Sequence, residues 1–234
     1  MCPSPAADPP TSRTSRFARG VRLGTPILLG YLPIGVAFGV LARAAGFSVL
    51  QAVACSALAL AGAGQFIAVA LMKAGADVGT VLAATSIVNL RYLLFGATLS
   101  PFLRHESTAR QAGLAATVTD ETFAVNVNDL RGGSASVSSM AGVGAISWVG
   151  WVAGTLVGAA AAGLIGDPAR WGLDFAMAAM FTALLVATVE DKRHVVVAVL
   201  AAVLAVVFSL VLPGKWFLVA TAVCAAAFGA VVYR

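Results

Sequence analysis

Apolar residues run along this chain in long blocks, and polar residues gather in short breaks between them. A bilayer-crossing helix needs about 20 mostly apolar residues. On that measure seven segments are candidates: 24–42, 48–72, 80–103, 140–165, 171–189, 194–212 and 215–233. The breaks "KAGAD", "RHESTAR", "GDPAR", "EDKRH" and "PGK" hold nearly all the charge, and "RGGSASVSS" (131–139) reads as a connecting loop. The expected fold is therefore all-α, a polytopic membrane bundle of seven to eight membrane-embedded helices. Residues 1–23 form a basic N-terminal tail and 24–233 a single transmembrane domain.

Composition supports lipid as the main solvent. Of 234 residues, 60% are hydrophobic and 11% charged, against roughly 25% charged in an average soluble domain. Mean hydropathy is +0.93. Much of the net charge of +5 comes from Arg13, Arg16, Arg19 and Arg22, which precede the first apolar span. This is a cytoplasmic flank obeying the positive-inside rule, rather than a nucleic-acid-binding arm. The three cysteines show no CxxC spacing, and His105 and His194 lie in separate polar breaks, so neither a metal site nor a disulfide framework is expected.

Two features of the apolar spans concern helix geometry. The first carries Pro26 and Pro33, which remove backbone donors. Two readings stand: a broken helix lining a substrate site, as in many transporters, or a kinked one. Gly150, Gly154, Gly158, Ala162 and Gly166 recur every four residues, with a shorter echo at Gly35 and Gly39. Such stripes let helix backbones approach closely, and imply either a tight internal pair or a partner subunit. "GVAFG" (35–39) and "GTLVG" (154–158) also form a faint internal repeat.

The segment "QAGLAATVTDETFAVNVNDL" decides the threading. If 111–126 does not cross, seven cations fall on each side; if it crosses, nine lie inside and five outside. Charge bias favours a crossing, with Gly132 and Gly133 cytoplasmic. A re-entrant hairpin is the alternative.

Candidate chemistry lies in polar groups that are costly in a membrane. Arg91 sits in the middle of the third span, where a charge costs about 2.5–3.5 kcal/mol on insertion scales. It calls for Asp120, Glu121 or Asp174 as a partner, and its guanidinium is a ready anchor for a substrate carboxylate. Asp120 and Glu121 lie about 100° apart on a helix, so one pairs while the other faces a transport path or a proton relay. A structural reading competes: Thr119 followed by two acids resembles a helix cap. Gln65 and Asn89 are buried amides that need partners, and Pro33 and Gly35 mark where the first span opens. No HExxH, GxSxG, Walker or dinucleotide-binding motif occurs, so an enzyme is not expected. A channel would show repeated polar lining, and a purely structural protein would leave Arg91 unexplained.

Five stretches then carry a resemblance: "GYLPIGVAFGVLARAAGFS", "SALALAGAGQF", "VNLRYLLFGATLSP", "TDETFAV" and "GLDFAMAAMFTALLV". Their order and spacing resemble those of the AzlC-type (azaleucine-resistance) permeases over about residues 20 to 212. The resemblance implies a bacterial inner-membrane exporter subunit for branched-chain amino acids, N-terminus cytoplasmic, acting with a small AzlD-type membrane protein and needing no cofactor or metal. It places Gln65, Asn89, Arg91, Asp120, Glu121 and Asp174 at functional positions. Tyr92 departs from the family, which often has histidine after "NLR".

Overall fold

A computed structural model gives the architecture. It describes residues 12–165, 168–172, 175, 178–179, 182, 185–186, 189, 191–211 and 216–232. Helices dominate and no strand occurs among these residues. The chain divides into two compact units, 1–176 and 177–234.

The first unit is built on two long helices. α1 (Arg13–Ala44) starts at Ser12, whose hydroxyl accepts the Ser15 N–H at 3.1 Å. It runs for 32 residues through both Pro26 and Pro33, so the first span is one continuous helix and not a broken one. α8 (Val137–Ile165) packs along it. Contacts run in step: Gly142 meets Phe17 and Gly20, Gly150 meets Leu28, Gly154 meets Leu32 and Gly35, and Gly158 meets Val36. Residue numbers rise together on both helices, so α1 and α8 are parallel. From Gly142 to Gly158 the glycine stripe is thus an internal seam, with no room for side chains, and Gly166 lies outside the described residues. A Cβ on Gly154 would sit 2.5 Å from the Leu32 carbonyl, and one on Gly35 2.9 Å from that of Trp151. The two halves of the faint repeat face each other across this seam. We call the side holding the start of α1 the near side and the side holding its end the far side.

Between these helices the chain makes two hairpins that do not cross. α2 (Val49–Leu58) begins on the far side with a capping box between Ser48 and Gln51. It descends α8 antiparallel: Ser56 bonds Thr155, and Ala57 accepts the Trp148 indole N–H. The chain then turns at 59–61 into α3 (Gly62–Lys73). Nine helical residues would carry Gln65 about 13 Å beyond Ser56 in a continuing span. Instead Gln65 Nε2 donates to Ser56 Oγ at 3.1 Å, so α3 returns to the far side. The candidate span 48–72 is a re-entrant hairpin.

α4 (Val78–Asn89) begins on the far side, capped by Asp77, which accepts the Thr80 N–H and hydroxyl. Those bonds, the hydroxyl's first, hold the Asp77 carboxyl below the usual carboxylate range. With α5 (Arg91–Leu103) it makes one span bent by 40° at Leu90. The span ends on the near side, where Leu99 and Leu103 pack with Met140 at the start of α8.

α6 (Thr108–Ala115) and α7 (Asp120–Arg131) form the second hairpin. Arg110 shares a cavity with Arg13 on the near side. Thr117 lies deeper, against Gly144, and Thr119 and Glu121 reach Tyr31 at the middle of α1. Asp129 is back on the near side, bonded to Arg19 and Ser139. The segment 111–126 is therefore re-entrant and does not cross, although Gly132 and Gly133 still lie on the near side. With 48–72 also folded back, the helices long and apolar enough to span are, among the described residues, three, or four counting the bent pair, fewer than the seven to eight expected.

This threading sharpens the charge asymmetry. Arg13, Arg16, Arg19, Arg22, Arg104, Arg110 and Arg131 lie on the near side of the first unit, and Arg43, Lys73 and Arg170 on the far side. Neither threading expected from hydropathy separates the cations so cleanly.

In the second unit, α9 (Lys192–Val211) and α10 (Trp216–Val232) form an antiparallel pair: Gly229 lies beside Val197, and Arg193 donates to the Val232 carbonyl. Most of the candidate span 171–189 lies outside the described residues.

Candidate functional site

The tips of the two hairpins and the bend of the third span converge near the midpoints of α1 and α8. Three helix N-termini, those of α3, α5 and α7, begin here, so their positive dipole ends lie at mid-bilayer depth.

α5 starts with Arg91 and α7 with Asp120, and these two form an ion pair, Nη1 to Oδ2, at 2.9 Å. Their side chains keep 24% and 20% of their exposure, so the pair borders open space. The guanidinium also lies 5.4 Å from the centre of the Tyr92 ring. That ring touches Phe95, which stacks on Phe123 of α7 at 4.3 Å. The α6–α7 hairpin is thus held to α5 by an ion pair and an aromatic stack.

Glu121 turns the other way. Tyr31 of α1 contacts its carboxylate at 2.5 Å and the Thr119 hydroxyl at 2.7 Å. Thr119 also caps α7 in a capping box with Thr122. The cap reading and the ion-pair reading of this segment are both correct, because the cap is what positions the two acids on diverging faces.

On the other side of Tyr31 its ring meets Trp151 edge-on at 5.3 Å. Trp151 Nε1 donates to Gln65 Oε1 at 2.9 Å. Gln65 in turn donates to Ser56, which is bonded to Thr155 at 2.8 Å. A chain of hydrogen bonds and one ring contact therefore joins the α2–α3 hairpin to the α6–α7 hairpin through Tyr31 and Trp151.

Some polar capacity is left unmet. Asn89 Oδ1 and Arg91 Nε are buried without a hydrogen-bond partner among the described residues. The first turn of α3 has no side-chain cap, and its Gly64 lies against the Asn89 amide, which a Cβ would meet at 2.9 Å. Unpartnered polar atoms in an apolar setting are costly, and they mark where a polar ligand would gain most.

Of the expected site residues, the structure brings Gln65, Asn89, Arg91, Asp120 and Glu121 to this centre. Gly35 lies in the seam, occupied by packing against Trp151. Pro33 is exposed on the outer face of α1, away from the cluster. Asp174 lies outside the described residues. Sequence reasoning missed Tyr31, Thr119 as more than a cap, Trp151 and Ser56. The signal for Tyr31 was its phenol in the middle of an apolar span, since a buried tyrosine hydroxyl usually finds a partner.

The AzlC protein family model matches residues 26–165, the stretch that holds both hairpins and the cluster. The chain is 34% identical to the inner membrane protein YgaZ of Escherichia coli (strain K12), over 80% of this chain and 79% of that one. It is 32% identical to an uncharacterized membrane protein of Archaeoglobus fulgidus over 85% of this chain and 87% of that one. It is 28% identical to the branched-chain amino acid transport protein AzlC of Bacillus subtilis over 72% and 66%. No solved structure matches it. A family model that spans both hairpins and the polar centre between them, with relatives 32% and 34% identical over at least 80% of the chain, makes this chain a member of the AzlC family of membrane proteins.

Proposed function

We propose that this chain is the transporting subunit of an exporter for branched-chain amino acids, working with a small AzlD-type membrane partner in the bacterial inner membrane, near side facing the cytoplasm. The carrying observation is the mid-membrane cluster of Arg91, Asp120, Glu121 and Tyr31 between hairpins that enter from opposite faces. Irregular backbone at this depth is tolerated only where it lies buried or lines a cavity, and paired helix N-termini at such breaks are a common substrate site in transporters. The near-side charge excess supports the orientation. The name of the Bacillus subtilis relative supports the substrate class.

Each part of a zwitterionic apolar amino acid has a partner here. Its carboxylate meets Arg91 and the uncapped first turn of α3. Its ammonium meets Glu121 or Asp120, and its side chain meets the surrounding apolar wall. Alternating access follows if the α6–α7 hairpin opens the centre to the near side and the α2–α3 hairpin opens it to the far side. Partner contact with the glycine stripe has no support, because α1 already covers it.

Valine counterflow into proteoliposomes, with and without the small partner, is the test. Exchange of valine, leucine and isoleucine by the complex, lost in Arg91→Ala, is expected. Full activity of this chain alone removes the partner, and inactivity of an intact complex toward all three removes the substrate class. A channel is the second reading, and the enclosed cluster disfavours it; unsaturable flux would restore it.

A further inference from the structure

A cavity of about 670 Å³ opens on the near side between α1, α6 and α8. It is separate from the mid-membrane cluster and lies against α6, the entry limb of the α6–α7 hairpin. One face of each helix lines it. α6 contributes Arg110 and Leu114, α1 contributes Arg13 and Phe17, and α8 contributes Ala141 and Ala145.

Its polarity is graded. Arg13 and Arg110 lie at the end nearest the helix starts, on the cation-rich side of the first unit. Arg110 also pairs with Glu106 at 2.8 Å and remains half exposed. Leu114, Ala141 and Ala145 lie one or two turns deeper beside Thr117, whose hydroxyl is turned to the Leu114 carbonyl, and the two alanines leave the space open. A soluble metabolite has no use for such a floor, and an apolar ligand has no use for two guanidiniums at the mouth. Charge at the mouth and hydrocarbon below it match an anionic amphiphile. Basic pockets between transmembrane helices on the cytoplasmic side are recognised docking places for anionic lipid headgroups, and guanidinium pairs bind phosphate well.

We propose that this groove binds one anionic phospholipid, with its phosphate between Arg13 and Arg110 and an acyl chain along Leu114, Ala141 and Ala145. The lipid wedges the α6 limb against α1 and α8, and so sets how readily the α6–α7 hairpin moves.

The test uses the purified full chain and native mass spectrometry of lipid adducts, with phosphatidylglycerol and phosphatidylcholine of equal chain length. Phosphatidylglycerol is expected to bind in preference, and inorganic phosphate not to compete at equal concentration. Arg13→Gln with Arg110→Gln is expected to weaken phosphatidylglycerol binding by roughly tenfold or more. Ala141→Trp, which fills the groove and keeps both arginines, is expected to remove the same adduct. Arg104→Gln, on the same side outside the groove, is expected to leave it intact and controls for general charge loss and for folding. Equal binding of the two lipids, an unaffected adduct in Ala141→Trp, or equal loss in Arg104→Gln overturns the proposal. So does a gain of lipid binding on deleting residues 1–11, which would make the N-terminal tail the occupant, or displacement by leucine, which would make the groove a substrate vestibule. None of these outcomes depends on whether the chain exports amino acids.

Discussion

Arg91 and Asp120 form a charge pair that neither residue can lose alone. Removing one partner strands the other in a medium that solvates it poorly, and such changes are far costlier than replacing both. Arg91→Ala is expected to abolish transport and lower the amount of folded protein. Adding Asp120→Asn is expected to restore abundance, measured by fluorescence-detected size exclusion, but not counterflow. Normal transport by Arg91→Ala would refute both the pairing and the anchor role. Tyr31→Phe is a finer probe. It removes one hydroxyl that serves both Glu121 and Thr119, a loss of about 1–3 kcal/mol where a buried partner is left unmet. A fall in melting temperature together with a fall in valine counterflow is expected. The Arg91 pair was legible in the sequence because a mid-span charge demands an opposite charge, and few acids were at hand. The role of Tyr31 was not, because a tyrosine among apolar residues reads as bulk until a partner is seen.

Helix pairing is where glycine has its largest effect. Any Cβ on Gly158 would overlap the Val36 backbone, so Gly158→Val forces the seam open. Overpacking of this kind costs typically about 1–3 kcal/mol, occasionally more. Gly30 lies on the same helix as half the seam, yet nothing stands within 4 Å of its would-be Cβ. Gly30→Ala is expected to be neutral or to stabilise by up to about 1 kcal/mol, as helix propensity predicts. Thermal unfolding of the two variants in detergent separates seam packing from a general intolerance of side chains. The stripe itself was legible from its spacing; its partner was not, since a smooth face does not say which smooth face it meets. At the near end, Arg19 donates to Asp129 and to the Ser134 carbonyl, and Ser139 donates to the same carboxylate. The hydrogen bond from Arg19 holds Asp129 below the usual carboxylate range, against an opposing effect of burial. A depressed folded value means that this latch contributes fully above the ordinary carboxylate range and weakens as pH falls through the folded value. Asp129→Asn is expected to flatten the acid limb of the stability profile and to loosen α7, read as faster hydrogen exchange over 120–131.

For the whole molecule, the threading makes the sharpest prediction. Residues 45–47 and 74–77 lie on one side and 132–134 on the other. In a chain freed of its native cysteines, single cysteines at Ala76 and Phe47 are expected to react with the same impermeant thiol reagent, and one at Ser134 only after the membrane is breached. Labelling of Ala76 and Phe47 from opposite sides would restore 48–72 as a span. Hydropathy could not show this. The stretch 48–72 is apolar enough to cross, and its reversal rests on one buried bond between Gln65 and Ser56 and on the turn at 59–61. Direction is a property of tertiary contacts, and a window average has none.

The parallel pairing of α1 with α8 also constrains how the protein is made. About 120 residues separate the end of α1 at Ala44 from the end of α8 at Ile165, and synthesis proceeds at roughly 5–20 residues per second. For roughly 6 to 25 seconds the first helix sits in the bilayer with its groove of bare backbone facing lipid, and both hairpins have only α1 and not α8 to lean on. An insertase or chaperone that shelters a glycine-faced helix has its work confined to that interval. Nascent chains arrested before residue 137 are accordingly expected to crosslink to such a factor through positions near Gly35 and Gly39, and chains arrested well beyond residue 165 to have released it.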